Sequence, residues 1–185
     1  AQSGAAFPTF RSMHWRTGPA LKQAACLLHP LPSHRHWPNL ALPRQQDAEL
    51  LAFARQHGDT ETEHLRLIEH WLPAERRSRL LLPWRIAGWL TGALPALFGR
   101  RAVYGTIAAV ETFVDVHYQQ QIDHLQQHGG PEGLLPLLLH CQADEQHHRD
   151  EAATLAGPHT PWLLRLWCTV VGSGSAAAVV LARRI

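Results

Sequence analysis

Two stretches decide the fold: residues 100–125, RRAVYGTIAAVETFVDVHYQQQIDHL, and residues 131–157, PEGLLPLLLHCQADEQHHRDEAATLAG. On an α-helix, side chains three and four positions apart share a face. With that period the first stretch aligns Tyr104, Ile107, Glu111, Val114, Tyr118, Ile122 and Leu125 on one stripe. The second aligns Leu134, Leu138, Cys141, Glu145, His148, Ala152 and Leu155. Each stripe is oily apart from a single acid, Glu111 on one and Glu145 on the other. An ionised carboxylate facing a core costs several kcal/mol unless a partner compensates it. A metal ion is such a partner, and His148 follows Glu145 at i+3, which sets a carboxylate beside an imidazole. Asp144 with His147 is a competing frame. Its face also carries His140 and Glu151 and reads as solvated, so Glu145 and His148 are preferred.

Upstream the pattern repeats. From Asp47, a plausible N-cap, a helix carries Leu50, Ala54, His57, Glu61, His64, Ile68 and Trp71 on one stripe. One acid again sits on a mostly apolar face, again as Glu-x-x-His, while Glu63, Arg66 and Glu69 fall on the solvated side. Gly58 weakens this helix by roughly 1 kcal/mol relative to Ala, and Pro73 ends it. The helix over 100–127 is stopped by Gly129 and Gly130; Pro131 opens the next, which ends at Gly157 and Pro158.

Two further stretches are apolar. Residues 80–99, LLLPWRIAGWLTGALPALFG, hold Arg85 as their single charge. A membrane span needs about 20 apolar residues, and Pro83, Pro95 and the glycines argue against one straight spanning helix. A broken helix lying on or dipping into a bilayer is one reading, with Trp84 and Trp89 at the interface and Arg100 and Arg101 behind it. An ordinary buried helix is the other. Residues 161–182, PWLLRLWCTVVGSGSAAAVVLA, are interrupted by Arg165 and a Gly-Ser-Gly-Ser patch, and either touch membrane or cap the bundle.

Residues 1–46 are rich in Pro, His, Arg and Trp and contain no Asp or Glu. They read as an irregular leader with a short helix over Gly18–Leu28, followed by one domain over 47–185. The first residue is Ala, which suggests that the true start is missing, and residues 1–20 have no continuous apolar core of the signal-peptide kind. The chain of 185 residues is long enough to bury a real core, and its net charge of +2 gives no argument for a nucleic-acid partner. No alternating apolar and polar run suggests a strand, so the class is all-α. The three cysteines, Cys26, Cys141 and Cys168, form no C-x-x-C pair, which fits a reduced compartment.

Two Glu-x-x-His pairs and a lone inward Glu on three helices make up most of the di-iron carboxylate pattern of helical bundles. Carboxylate with imidazole suits iron or manganese better than a structural zinc site. The other histidines have plainer readings: His117, His124, His128 and His147 on solvated faces, His57 on the inward stripe as a core histidine, preferred over one that supports the ligands from behind, and Cys141 as packing. Trp162 and Trp167, like Trp84 and Trp89, read as core or interfacial anchors.

AVETFVDVHYQQQIDHL (109–125), CQADEQHHRDEA (141–152), TETEHL (60–65) and LTGALPALFGRRAVYGTIAAVE (90–111) closely resemble the demethoxyubiquinone hydroxylases of ubiquinone biosynthesis. The resemblance covers residues 47–185. It implies a ferritin-like helical bundle with additional apolar membrane-interface helices and a centre of two Fe ions. It implies a di-iron monooxygenase that uses O2 to hydroxylate the ring of a demethoxyubiquinol, with electrons from NADH through the quinone. No Gly-rich dinucleotide fingerprint is present to bind the nicotinamide. The implied ligands are Glu61 and His64 for one iron and Glu145 and His148 for the other, with Glu111 bridging or ligating. Tyr118 matches the family's HY-x-x-Q tyrosine and is implied to hydrogen-bond near the site. The implied location is peripheral: the cytoplasmic face of a bacterial inner membrane, or the matrix side in a mitochondrion, beside membrane lipid and within a ubiquinone-biosynthesis complex.

The chain departs from the family at one place. The family's first helix carries a D-H-A-G-E motif whose Glu is the sixth ligand, and residues 1–46 hold neither the motif nor any carboxylate. This predicts an altered or missing first helix, with five ligands left of six and impaired activity. The composition before Asp47 reads as a frame shift upstream of an intact frame. A non-catalytic, membrane-associated quinone- or lipid-binding homologue is the alternative.

Overall fold

A computed structural model describes residues 48–71 and 81–182. The irregular leader, the Gly18–Leu28 helix, the Asp47 cap and the Pro73 stop lie outside the described residues. Five helices make up the described part: α1 Ala48–Trp71, α2 Leu81–Ala96, α3 Arg100–His128, α4 Leu134–Ala156 and α5 Trp162–Ala182. Among the described residues there is no strand, and the all-α expectation stands.

The stripes pack inward much as the periodicity predicts. All seven α3 stripe residues are buried, and so are six of the seven on α4. The exception is Leu155, which is exposed. It lies next to the C-terminal end of α4, where Gly157, at φ +77°, closes the helix by donating its N–H to the carbonyls of Ala153 and Thr154. In that last turn it is Ala156, not Leu155, that packs against the cluster of Phe53, Tyr104 and Ile107. On α1, His57, Glu61, His64 and Ile68 are buried, and Phe53, outside the predicted stripe, is buried with them. Pro131 does not open α4 directly. The helix starts at Leu134, after a turn through Gly133 in the left-handed region at φ +88°.

α4 runs antiparallel to α1. His57 on α1 meets Glu151 on α4, and His64, two turns further along α1, meets Asp144 and Glu145. α3 packs chiefly on α4, α5 on α3, and α2 on α3. One polar cluster pins α3 to α4: Arg149 donates to the Asp115 carboxylate at 2.6 Å, and the Gln142 and Gln146 amides donate to it at 2.9 Å each. α5 is fixed by Trp167 Nε1 donating to Thr106 Oγ1 at 2.9 Å and by Cys168 against the Gly105 carbonyl.

The core is divided. One apolar cluster joins Ile68 of α1, Val110 to Leu125 of α3, Leu134 to Cys141 of α4, and Val171 of α5. A second joins Phe53, Tyr104, Ile107 and Ala152 at the other end of the same three helices α1, α3 and α4. Between them, at the middle turns of those helices, lies the polar layer described next.

The two apolar stretches differ from the readings above in continuity. α2 is one helix rather than a broken one. Pro83 falls in its first turn, where a missing N–H loses no partner, and Pro95 falls in its last. α5 runs unbroken through Gly172–Ser175. Trp162–Leu181 is long and apolar enough to cross a membrane by length and composition, and only 22% of that window is buried within the chain. Ile86–Ala96 is a shorter apolar segment. Exposed apolar side chains crowd both: Ile86, Leu90, Leu94 and Phe98 on and just after α2, and Trp162, Leu163, Leu166 and Val170 on α5.

Candidate metal centre

Six polar side chains fill the layer between the clusters: His57, Glu61 and His64 from α1, Glu111 from α3, and Glu145 and His148 from α4. None is more than 3% exposed. All five sequence-predicted ligands are therefore inward. Glu145 lies close enough to Glu61 and to Glu111 to act on both, and Glu61 acts on Glu111.

Glu61, Glu145 and His148 place donor atoms within 4.8 Å of one another. Donors bound to one ion at about 2.0–2.2 Å are at most roughly 4.4 Å apart, so a small contraction would close this set on a cation. The hydrogen bonding points the same way. Both oxygens of Glu61, Oε2 of Glu111, Oε2 of Glu145 and Nδ1 of His148 have no hydrogen-bond partner. Buried polar atoms are nearly always satisfied, and each exception asks for a cause. Here five orphaned atoms face one another across three helices, and all of them are competent metal donors. The residues fit a cation.

The electrostatics follow from the same crowding. Burial, followed by the charge of Glu145, pushes Glu61 well above the usual carboxylate range, and the same two causes raise Glu111, with Glu61 adding to them. Glu145 is buried too, which works to raise it. The His64 and Glu111 hydrogen bonds outweigh burial and hold it below the usual range. Without a cation, then, the layer favours the ionised form at Glu145 and the protonated form at its two neighbours. Burial and the nearby imidazole of His57 lower His148 to about 4, so its ring is neutral at pH 7 and carries a lone pair for a metal.

His64 is held at both ends. Nδ1 lies 3.1 Å from Glu145 Oε1 and Nε2 lies 2.9 Å from Asp144 Oδ2. Burial lowers its pKa, but the two carboxylates more than offset it and the net shift is upward. A carboxylate at each nitrogen favours the protonated ring, which offsets the charge of Glu145. A cation arriving beside Glu145 would displace that proton, leaving Nδ1 as a donor and Asp144 on the far nitrogen. A carboxylate on the outer nitrogen is the usual support of a metal-bound histidine.

Tyr118 lies in the larger apolar cluster beside Cys141, and its hydroxyl has no hydrogen-bond partner. Burial first, then Cys141, Glu145 and Glu61, push it well above the usual tyrosine value. The Cys141 thiol, raised to about 12 mainly by burial, stays protonated and packs, as its place on the stripe predicts.

Three residues play larger parts than the sequence suggests. The Asp144 and Glu151 face is not simply solvated, since Asp144 holds His64 and Glu151 holds His57 at 3.1 Å. Both acids sit at the margin of the α1–α4 contact, one position to the side of the inward stripe, where their side chains bend in to meet histidines. His57 is more than a filler of the core: it stacks on His148 with ring centroids 3.9 Å apart. Its place one turn before Glu61 on the same stripe is the signal for it. His117, read as solvated, is buried and stacks on Phe113 one turn back. His124 is half-buried, and His128 and His147 are exposed.

Residues 39–182 match the family of the ubiquinone biosynthesis protein COQ7. The chain belongs to this family. Its relatives include the rat "NADPH-dependent 3-demethoxyubiquinone 3-hydroxylase, mitochondrial", 31% identical over 134 residues, which are 68% of this chain and 59% of the rat protein. The Rhodospirillum rubrum "3-demethoxyubiquinol 3-hydroxylase" is 39% identical over 83 residues, 43% of this chain and 38% of that protein. A Dictyostelium discoideum protein with the same name as the rat enzyme is 28% identical over 138 residues, 71% of this chain and 61% of it. The chain spans about three fifths of the length of the rat and Dictyostelium proteins it matches. The matched span contains α1 to α5 and so every residue of the polar layer.

Proposed function

We propose that this family member is a di-iron monooxygenase that hydroxylates the ring of a demethoxyubiquinol in ubiquinone biosynthesis. The observation that carries the reading is the convergence of Glu61, Glu111 and Glu145, with orphaned oxygens, in a buried layer beside the imidazoles of His57, His64 and His148. The names of the relatives supply the substrate class and the reaction. Glu61, His64, Glu111, Glu145 and His148 would hold the irons. Bound iron supplies the activation of O2 that ring hydroxylation needs. The chain's own part is to assemble and shelter the donors. The two apolar clusters exclude water above and below them. Neutral His148 offers its lone pair, Asp144 orients His64, and Glu61 and Glu111 give up protons as cations enter. Electrons come from a reduced nicotinamide through the quinone; the rat relative's name specifies NADPH where the resemblance suggested NADH. The exposed apolar faces of α2 and α5 favour a peripheral seat on the membrane that holds the isoprenoid substrate, bacterial inner or mitochondrial.

The test is complementation of a bacterial strain blocked at this hydroxylation. The account expects ubiquinone to return with this chain and to be absent with Glu61→Gln. Failure of the parent chain, alongside success of a relative that carries the first-helix Glu, would move the reading to a non-catalytic quinone- or lipid-binding homologue.

A further inference from the structure

We propose that His57 is a further ligand of the metal centre, oriented by Glu151. The inference rests on the reading of the polar layer as a metal site and adds a donor to it. His57 is completely buried, one helical turn before Glu61 on the same face of α1. Its Nε2 lies 3.1 Å from Glu151 Oε2, while its Nδ1 is buried and has no hydrogen-bond partner. With Nε2–H donated to the carboxylate, Nδ1 carries the lone pair. A histidine kept only for packing would be expected to satisfy that nitrogen, because an orphaned buried acceptor costs about 1–3 kcal/mol.

The ring is also held as a ligand would need to be. It stacks on His148 at 3.9 Å and 23°, and Phe53 lies against it at 3.8 Å. His148 belongs to the donor set with Glu61 and Glu145, and its own Nδ1 is orphaned. Two stacked imidazoles, each with an unshared Nδ1, therefore meet where His148 joins the carboxylates of Glu61 and Glu145. A carboxylate on the outer nitrogen, as Glu151 supplies, fixes the tautomer and ring orientation of metal-bound histidines. Two imidazoles with carboxylates suit a divalent iron-like ion. Glu151 is itself half-exposed, so Nε2–H has a partner that keeps its hydration while the ring faces inward.

The experiment uses the full chain with cobalt(II) as the probe, under anaerobic conditions. Equilibrium dialysis gives affinity, and X-ray absorption at the cobalt edge counts imidazoles through their outer-shell scattering. His57→Phe keeps a flat ring against Phe53 and His148 and removes the nitrogens. His57→Gln provides the same comparison if the larger ring disturbs folding, which circular dichroism reports. The expected result is a 10- to 100-fold loss of affinity, of the order seen when a metal site loses a supporting group, and one imidazole fewer in the spectrum. Glu151→Gln should keep the imidazole count and lose affinity by a smaller factor. Wild-type affinity and an unchanged count in both His57 variants would overturn the proposal and leave the metal site standing. No cobalt uptake by the parent chain would overturn both.

Discussion

Replacing Glu111 by Gln should make the metal-free protein more stable and the metal-loaded protein less so. Glu111 is 1% exposed, lies against Glu145 and Glu61, and has one oxygen without a partner. Its folded pKa is raised, first by burial and then by those two acids. A carboxyl whose folded pKa lies above its unfolded value of about 4.3 binds its proton more tightly when folded. The contribution of this carboxyl to stability is then fully present below pH about 4.3 and is lost as pH rises from there through the folded pKa. At neutral pH the apo protein carries this penalty for both Glu111 and Glu61. The penalty is the free energy of holding each carboxyl protonated at a pH where the unfolded chain would ionise it. The amide of Gln keeps the shape, removes the ionisable group and brings an N–H to face orphaned oxygens, at a cost of about 1–3 kcal/mol where it finds no acceptor. The net expectation is about 1–3 kcal/mol of added stability without metal. For a chain of this size 1 kcal/mol moves the melting temperature by about 2–4 °C, so the apo midpoint should rise by about 2–12 °C at pH 7.5. Metal at 100 times its Kd should stabilise the parent by about 2.7 kcal/mol, and the variant should lose most of that gain. Calorimetry with chelator and with anaerobic iron(II) measures both. A lower apo midpoint together with an undiminished metal gain would refute the view of Glu111 as a carboxylate waiting for a cation.

Three other outcomes follow from the same geometry. Asp144→Asn frees the outer nitrogen of His64 from its carboxylate and should weaken cobalt(II) binding by about 10- to 100-fold, read by titration calorimetry. His148, held near 4, should show no protonation shift by NMR in apo protein between pH 8 and 5.5; its neutral-ring contribution to stability is present above its unfolded value of about 6.5 and is lost as pH falls from there towards 4. A titration midpoint near 6.5 would contradict its burial. Trp162→Glu with Leu166→Glu removes apolar surface from the exposed face of α5 and should reduce sedimentation with phospholipid vesicles severalfold without changing helical content; unchanged sedimentation would remove α5 from the membrane contact.

The sequence shows the frame of this protein clearly because single acids on oily stripes are rare and costly. Glu111 and Glu145 declare the inward faces of α3 and α4, and the period places Glu61 and His64 on α1 before any coordinates are needed. Residues one step off the stripe are less legible. Asp144 and Glu151 look solvated by periodicity, yet each reaches across the α1–α4 contact to a histidine, and only the antiparallel register of the two helices reveals this. His57 illustrates the same limit: its place on the stripe says buried, while its stacking on His148 depends on how two helices meet. Leu155 errs the other way: at the end of α4 it is Ala156 that meets the cluster of Phe53, Tyr104 and Ile107, and Leu155 is exposed. The continuity of α2 is hidden by its prolines: Pro83 turns out to sit in the first turn, where a missing N–H loses no partner, and Pro95 lies inside the last turn, after which the helix stops at Ala96.

The most direct measurement is anomalous scattering at the iron edge from crystals of the full chain loaded anaerobically with iron(II). The account predicts about two iron peaks per chain, bounded by Glu61, Glu111, Glu145 and His148. Fully loaded crystals with no peak in that layer, and with its carboxylates still facing one another across hydrogen bonds, would contradict it.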